Sequence, residues 1–128
     1  MPYVALHNHS FYSILDSTLS PDDLVQASLG APALGLVDRD TLAGAVQFYK
    51  KARSAGIHPV IGSEVTLADK STAVLLVENA QGYANLCRLL TTRIEHPGGV
   101  LFEDVARYSQ GLICLLGARS PAAQAVRR

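Results

Sequence analysis

The sequence has no surplus of charge of either sign. Eleven basic and eleven acidic residues cancel, so the formal net charge is zero with the four histidines counted as neutral. A chain without a broad basic field does not attract duplex nucleic acid through charge alone. We therefore expect no strong nonspecific binding of nucleic acid.

Paired cysteines and long apolar runs are also missing. Cys87 and Cys114 are the two cysteines, and they stand in apolar segments without a Cys-x-x-Cys spacing. This pattern predicts reduced core residues of an intracellular protein. The N-terminus has no basic segment followed by a long apolar one, so neither a signal peptide nor a membrane span is predicted. We expect a cytoplasmic protein that does not associate with membranes.

Apolar residues are abundant enough to form a core. The chain has 128 residues, 48% of them hydrophobic, and its mean hydropathy is +0.19. This length and composition suit one compact domain over residues 1–128, without repeats, low-complexity tracts or linkers.

Predicted strands and helices alternate along the chain. The strand segments are residues 3–6, 33–37, 59–67, 73–77 and 112–116. The predicted helices begin after Ser20, at Asp40 or Thr41, after Asn79, at Phe102 and after Ser120. Such alternation is typical of an α/β fold with a mainly parallel sheet. The uninterrupted apolar run of residues 33–37 indicates a strand that is covered on both faces.

His7 and His9 end the first apolar run. Side chains two apart in a strand share a face, so both imidazoles project together, as a metal site requires. Two hydrogen-bonded polar histidines fit the pair alone equally well. The metal interpretation is favoured by further polar residues near other predicted strand ends or turns. Parallel α/β folds place their sites at such strand ends. These residues are Ser10, Asp16, Asp38 and Glu64.

Three motifs carry a family resemblance. They are His7–Asp16, Ala33–Asp38 with the following Leu42–Val46, and Gly56–Glu64. In order and spacing the chain resembles the polymerase and histidinol phosphatase (PHP) domain over nearly its whole length. The branch that it resembles most is the one at the N-terminus of bacterial DNA polymerase III alpha subunits, including the error-prone type.

The resemblance implies a partial (β/α) barrel of metallohydrolase type. Family members hold up to three metal ions, commonly zinc, manganese or iron, and hydrolyse phosphoesters. By position, His7, His9, Asp16 and Glu64 correspond to metal ligands. Imidazoles and carboxylates suit borderline divalent metals, and two close ions could clamp a phosphate and activate water.

The chain departs from the family pattern in three places. The second motif is normally Asp-His, but here it is Asp38-Arg39. Ser71-Thr72-Ala73 stands where the family has a histidine. The chain ends at Arg128, whereas family domains continue to later ligands, including an Asp-x-His pair, so it corresponds to the N-terminal portion of the full domain. At most a partial ligand set is expected.

Arg39 brings a permanent positive charge to the predicted metal position. Without a cation, clustered carboxylates would repel one another. We therefore hypothesise that Arg39 pairs with Glu64 or Asp16 and replaces one ion, with Asp38 and Ser10 as supporting neighbours. The alternative is that Arg39 points into solvent.

Two functions from different classes remain open. The first is a PHP module with a degenerate metal site and without bound metal. It would have a structural or accessory role in DNA replication or repair, with a DNA polymerase or other replication components as partners. The second is an active zinc- or manganese-dependent phosphoesterase or 3′–5′ exonuclease acting on nucleotides or DNA ends. A metal-binding regulatory protein outside replication is a third interpretation. The chain is too short to be a polymerase, and the sequence assigns no catalytic or nucleic-acid-binding residue.

A partial barrel is expected to leave the edges of its outer strands unpaired. Proteins usually cover or pair exposed strand edges. We therefore predict a homodimer, or another way of pairing the exposed edge.

Overall fold

A computed structural model describes residues 2–117. Within them, helices and strands alternate, and the four strands form one sheet in the order β1-β2-β3-β4. The α/β class is confirmed, and the sheet is mixed because β3 and β4 run antiparallel. The elements are α1 (Pro21–Ala27), β1 (Ala33–Arg39), α2 (Ala45–Ser54), β2 (His58–Thr66), β3 (Thr72–Val77), α3 (Ala80–Glu95), α4 (Phe102–Arg107) and β4 (Leu112–Leu115).

The chain forms two compact units, one up to Ser63 and one from Glu64 onward, with β2 running from the first into the second. The single domain over residues 1–128 stays a prediction. In the first unit, α1 and α2 pack together and α2 packs on β1. Five consecutive residues of β1 are buried, as the apolar run predicts. Its core consists of Val25, Leu34, Leu36, Phe48, Ala52 and Ile57.

The first predicted strand is not regular. Residues 3–6 are extended, and Ala5 O and Asn8 O accept hydrogen bonds from Gly35 and Val37 N–H at 2.8 and 2.9 Å. The two acceptors are three positions apart in sequence, but the two donors are only two positions apart, so the segment carries one extra residue, as in a bulge. The Asn8 amide donates to Gly35 O at 3.0 Å, where a regular ladder would use a main-chain N–H. A Cβ at position 35 would lie 2.5 Å from the main-chain oxygen of Leu6, so glycine permits this close approach.

Helix α1 begins directly after Ser20, as predicted. Ser20 Oγ accepts from the Asp23 N–H and the Asp23 carboxylate accepts from the Ser20 N–H, both at 3.0 Å, and Pro21 opens the helix. The two contacts form a capping box, which satisfies main-chain donors that the first turn leaves unpaired. Hydrogen bonding to Ser20, first of all from its main-chain N–H, lowers the pKa of Asp23.

We expect Ser20→Ala to lower the free energy of unfolding by about 1 kcal/mol at neutral pH, because the helix loses its cap. Since the folded pKa of Asp23 is depressed, its contribution is present above its ordinary pKa of 3.8 and is lost as the pH falls through the lowered value. The difference between the two proteins should therefore shrink in acid. Urea unfolding at several pH values measures it, and Ser28→Ala, at the other end of α1, serves as the control. A difference that grows below the ordinary pKa would contradict this account.

The second helix begins later than predicted. Asp40 adopts a left-handed φ of 56°, and Thr41 Oγ1 accepts from the Ala43 N–H at 3.1 Å. Because aspartate tolerates the left-handed region, the chain turns here before α2 begins at Ala45. Neither Asp40 nor Thr41 caps the helix. The helix ends at Ser54, before Gly56.

In the second unit, α3 packs on β3 and β4. The Asn79 side chain caps α3, as predicted, by accepting from the Gly82 N–H at 3.0 Å. A Cβ at Gly82 would lie within 1.8 Å of Gly111 O, so a side chain at that position would collide with the main chain. A turn at residues 69–70 is closed by a hydrogen bond from Leu67 N–H to Ser71 O at 2.8 Å.

Both cysteines are free thiols, as predicted, but their burial differs. Cys87 is partly buried on α3, whereas Cys114 is exposed on β4. The core assignment of Cys114 is therefore wrong, because β4 is the outermost strand of the sheet among residues 2–117. The predicted last helix from Ser120 lies outside the described residues. None of the helices described is long and apolar enough to cross a membrane.

Candidate functional site

His7 and His9 are neighbours in space. Their ring centroids are 5.5 Å apart and the rings are inclined at 68°. His7 is exposed, whereas His9 is partly buried. The alternation of an extended segment thus brings the imidazoles together, although the segment is bulged. Their role as ligands stays a prediction.

A tight loop carries Asp16 back toward His9. Ser13 N–H donates to Ser10 O at 2.9 Å, and Asp16 N–H donates to Ser13 O at 3.0 Å. Leu15 adopts a left-handed φ of 72° inside the second turn. As a result, Asp16 Oδ2 lies 3.9 Å from His9 Nδ1.

Asp38 anchors this loop. Its side chain is almost completely buried, with 2% of the residue exposed. Oδ1 accepts from the Ser10 N–H at 2.6 Å and from the Ser13 hydroxyl at 2.8 Å, and Oδ2 accepts from the Ser10 hydroxyl at 2.7 Å. These three donors to the carboxylate all belong to the loop. Buried polar groups require such partners, and here they fix the start of the segment that ends at Asp16.

Ser13 is a site residue that sequence reasoning missed. Its hydroxyl donates to Asp38 and accepts from the Arg39 main-chain N–H at 2.9 Å. Ser13 therefore connects the end of β1 to the turn that carries Asp16. A small hydroxyl residue three positions after Ser10 was the available signal, because both can reach one buried carboxylate across a turn.

Arg39 lies against Asp16. One guanidinium nitrogen, Nη2, is 3.1 Å from Asp16 Oδ2. The hypothesis gave Glu64 or Asp16 as the partner of Arg39, and the structure shows an ion pair with Asp16. The two side chains are 48% and 29% exposed, so water weakens their attraction. A guanidinium is nevertheless a permanently charged group.

Glu64 follows Ser63 in β2, and the Ser63 hydroxyl donates to Asp38 O at 2.7 Å. Glu64 is buried, and one potential ligand atom from each of His7, His9 and Glu64 lies within 4.8 Å of the other two. Two imidazole nitrogens and a carboxylate oxygen form a donor set that suits zinc or manganese. These three residues could therefore hold a divalent metal. Asp16, predicted as a further ligand, is not part of this group.

His58 stands apart from this site. His58 begins β2, at the end of the strand opposite to Glu64. It lines a cavity of about 300 Å³ with Pro32, Arg53, Gly56 and Ile57. Among residues 2–117, no second group of histidine, cysteine and acidic side chains is arranged to hold a metal.

Comparison with known sequences identifies the family. The family described as the PHP domain matches residues 5–126. This chain belongs to the PHP domain family. Two relatives of this PHP chain are DNA polymerase III subunit alpha of Chlamydia pneumoniae, 40% identical over 94% of the chain, and error-prone DNA polymerase of Symbiobacterium thermophilum, 47% identical over 71%. The chain spans only 11% and 9% of the lengths of these relatives.

Solved structures of similar fold agree with a PHP-type architecture. A protein described as a metal-dependent phosphoesterase from Bifidobacterium adolescentis superposes with a TM-score of 0.53 at 20% identity, covering 86% of this chain and 45% of that one. An amidohydrolase from Chromobacterium violaceum, solved with sulfate and no metal, gives 0.51 at 21% identity, covering 82% and 48%. At these identities the likeness concerns the fold, and the predicted PHP-type α/β fold is confirmed.

Proposed function

We propose that this PHP module has a degenerate metal site and a structural or accessory role in DNA replication or repair in the bacterial cytoplasm. The observation that carries the proposal is the ion pair between Arg39 and Asp16, with 3.1 Å between Nη2 and Oδ2. Arg39 stands where the family motif has a histidine ligand. A guanidinium has no lone pair to offer a metal, so this position cannot coordinate one.

The ion pair also acts on the rest of the site. A metal that used Asp16 would have to break the contact with Arg39 and approach a fixed positive charge. A guanidinium is a permanently charged group, so this repulsion remains. Arg39 therefore supplies part of the positive charge that an ion would otherwise bring to Asp16. We expect metal affinity to be low for that reason.

The proposed partner is a DNA polymerase or another replication component. The relatives at 40% and 47% identity are named as DNA polymerase III alpha and error-prone DNA polymerase. In those proteins the matching region is a small part of a long chain. A module of this kind is suited to stabilise or dock onto its polymerase without turning over a substrate.

An active metal-dependent phosphoesterase or 3′–5′ exonuclease is the second candidate. The observation that favours it is the group formed by His7, His9 and Glu64, whose ligand atoms lie within 4.8 Å of one another. When bound there, zinc or manganese would polarise a phosphoryl oxygen and lower the pKa of a bound water. If the protein is such an enzyme, His7 and His9 would hold the ion, and the loop anchored by Asp38 would keep Asp16 close to His9.

Elemental analysis after purification without chelator separates the two candidates. We expect less than one equivalent of zinc, manganese or iron per chain and no hydrolysis of a generic phosphodiester. Stoichiometric metal together with turnover would contradict the degenerate site and support the enzyme. His7→Ala tests whether any residual metal depends on the histidine pair. His58→Ala, which removes a histidine outside the site, is the matched control and should retain the same metal content.

A further inference from the structure

Positive charge is concentrated in one stretch of the first unit. Residues 41–63 contain three basic side chains and no aspartate or glutamate, whereas residues 1–40 contain five aspartates and one arginine. The three basic residues are Lys50, Lys51 and Arg53, and all are exposed on the second half of α2. The net charge of zero for the whole chain therefore conceals a local positive surface, which can attract anions at short range.

The turn of the helix places two of these cations beside an aromatic ring. Lys50 and Arg53 are three positions apart, and Tyr49 and Arg53 are four apart, so the three side chains share a face of α2. The Arg53 guanidinium carbon lies 6.0 Å from the centre of the Tyr49 ring, and Tyr49 is 48% exposed. This face therefore presents two cations and an accessible aromatic side chain.

Lys51 lies on another side of the helix. It follows Gln47 by four positions, so these two side chains are neighbours on the helix surface. The Gln47 amide donates to Asp22 Oδ1 of α1 at 3.3 Å. Lys51 is therefore on the side of α2 that meets an acidic residue, whereas Lys50 and Arg53 are not.

The main chain itself closes the end of α2. The carbonyls of residues 51–53 accept hydrogen bonds at 3.1 Å from the N–H groups of Ala55 and Gly56. Gly56 adopts a left-handed φ of 74°, which is typical of such a helix end. Basic side chains are thus not required to cap these carbonyls. Within residues 2–117, neither Lys50 nor Arg53 forms an ion pair with a carboxylate.

Arg53 also borders the cavity of about 300 Å³ that His58 lines. The His58 N–H donates to Pro32 O at 3.1 Å, which fixes the main chain of His58 at this cavity. A guanidinium binds phosphate oxygens through paired N–H groups, and an imidazole N–H adds a further donor. No carboxylate belongs to the described lining, so an anion would meet donors there without repulsion.

We propose that this surface, formed by Tyr49, Lys50, Arg53 and His58, binds single-stranded nucleic acid. Arg53 and His58 bind one phosphate at the cavity, Lys50 binds a neighbouring phosphate, and the Tyr49 ring stacks on a base. The cations are spread along the helix face instead of converging on one point, which suits a strand that carries one charge per nucleotide. Exposed aromatic residues among cations are typical of surfaces that bind single strands. The inference does not depend on whether the candidate site holds a metal.

Fluorescence anisotropy of a labelled oligothymidylate tests the phosphate contacts. We expect binding at low salt that weakens as salt is added. Lys50→Gln and Arg53→Gln should each weaken it at least about threefold and lower the slope of log affinity against log salt by about 0.7, the value for one phosphate contact on a single strand. The matched control is Lys51→Gln, which removes the same charge from the other side of α2 and should change the affinity by less than about twofold.

Substitutions of Tyr49 test the contact with a base. Tyr49→Ala should weaken binding at least about fivefold, whereas Tyr49→Phe keeps the ring and should retain the affinity. A duplex should bind more weakly than the single strand, because its bases are already stacked on one another. Far-ultraviolet circular dichroism confirms that each variant is folded.

Four results would overturn the proposal. They are no binding of the oligothymidylate at low salt, equal losses from Lys50→Gln and Lys51→Gln, equal affinity for a duplex, and displacement of the strand by inorganic phosphate at an ionic strength where chloride does not displace it. The last result would show a site for a single small anion.

Discussion

Asp38→Asn should lower the free energy of unfolding by about 2–4 kcal/mol, since it leaves buried donors without their acceptor. The carboxylate is 2% exposed and accepts three hydrogen bonds from Ser10 and Ser13. An amide can replace one oxygen with an acceptor but turns an NH₂ group toward at least one donor. The loop of residues 10–16 should loosen, and Asp16 should separate from Arg39.

Urea unfolding followed by circular dichroism measures this loss. Asp40→Asn is the matched control, because it removes the same charge two residues further along, where asparagine also tolerates the left-handed φ of 56°. Its effect should stay within about 1 kcal/mol. Equal effects of the two substitutions would show that Asp38 does not anchor the loop through its hydrogen bonds.

Arg39→His should raise the affinity for zinc or manganese by at least about tenfold. The substitution restores the Asp-His motif of the family, removes a positive charge and frees Asp16 from the ion pair of 3.1 Å. All three changes favour a cation at this position. Titration calorimetry on protein stripped of metal gives the affinity directly.

Two further variants separate the contributions of charge and ligand. Arg39→Gln removes the charge without adding a nitrogen ligand and should gain less than Arg39→His. Adding His9→Ala to Arg39→His should abolish the gain, because His9 lies beside Asp16, with 3.9 Å between Nδ1 and Oδ2. If Arg39→His binds metal no more tightly than the original protein, Arg39 does not substitute for an ion.

Elements with local signals were predictable from the sequence. The capping box at Ser20, the Asn79 cap of α3 and the buried run of β1 are each encoded within a few neighbouring residues. The predicted start of α2 was wrong. A left-handed turn at Asp40 competes with a helix cap, because both favour the same residue type.

In the candidate site, too, local features were predictable from the sequence and long-range contacts were not. The adjacency of His7 and His9 follows from the alternation of an extended chain, and their ring centroids are 5.5 Å apart. Ser13 was missed because its partners, Asp38 and Arg39, are 25 and 26 positions away. No periodicity within the loop shows that contact.

Composition and short-range patterns thus account for the α/β class, and the resemblance to the PHP family identifies the motifs and the unusual arginine at position 39. The carboxylate that Arg39 meets and the hydrogen bonds that bury Asp38 depend on contacts between distant segments. Such contacts form only when the chain packs, because burial and hydrogen-bond satisfaction select among local alternatives that are nearly equal in free energy. The meeting of Arg39 with Asp16 is the clearest case, since both residues can be read from the sequence but their contact cannot.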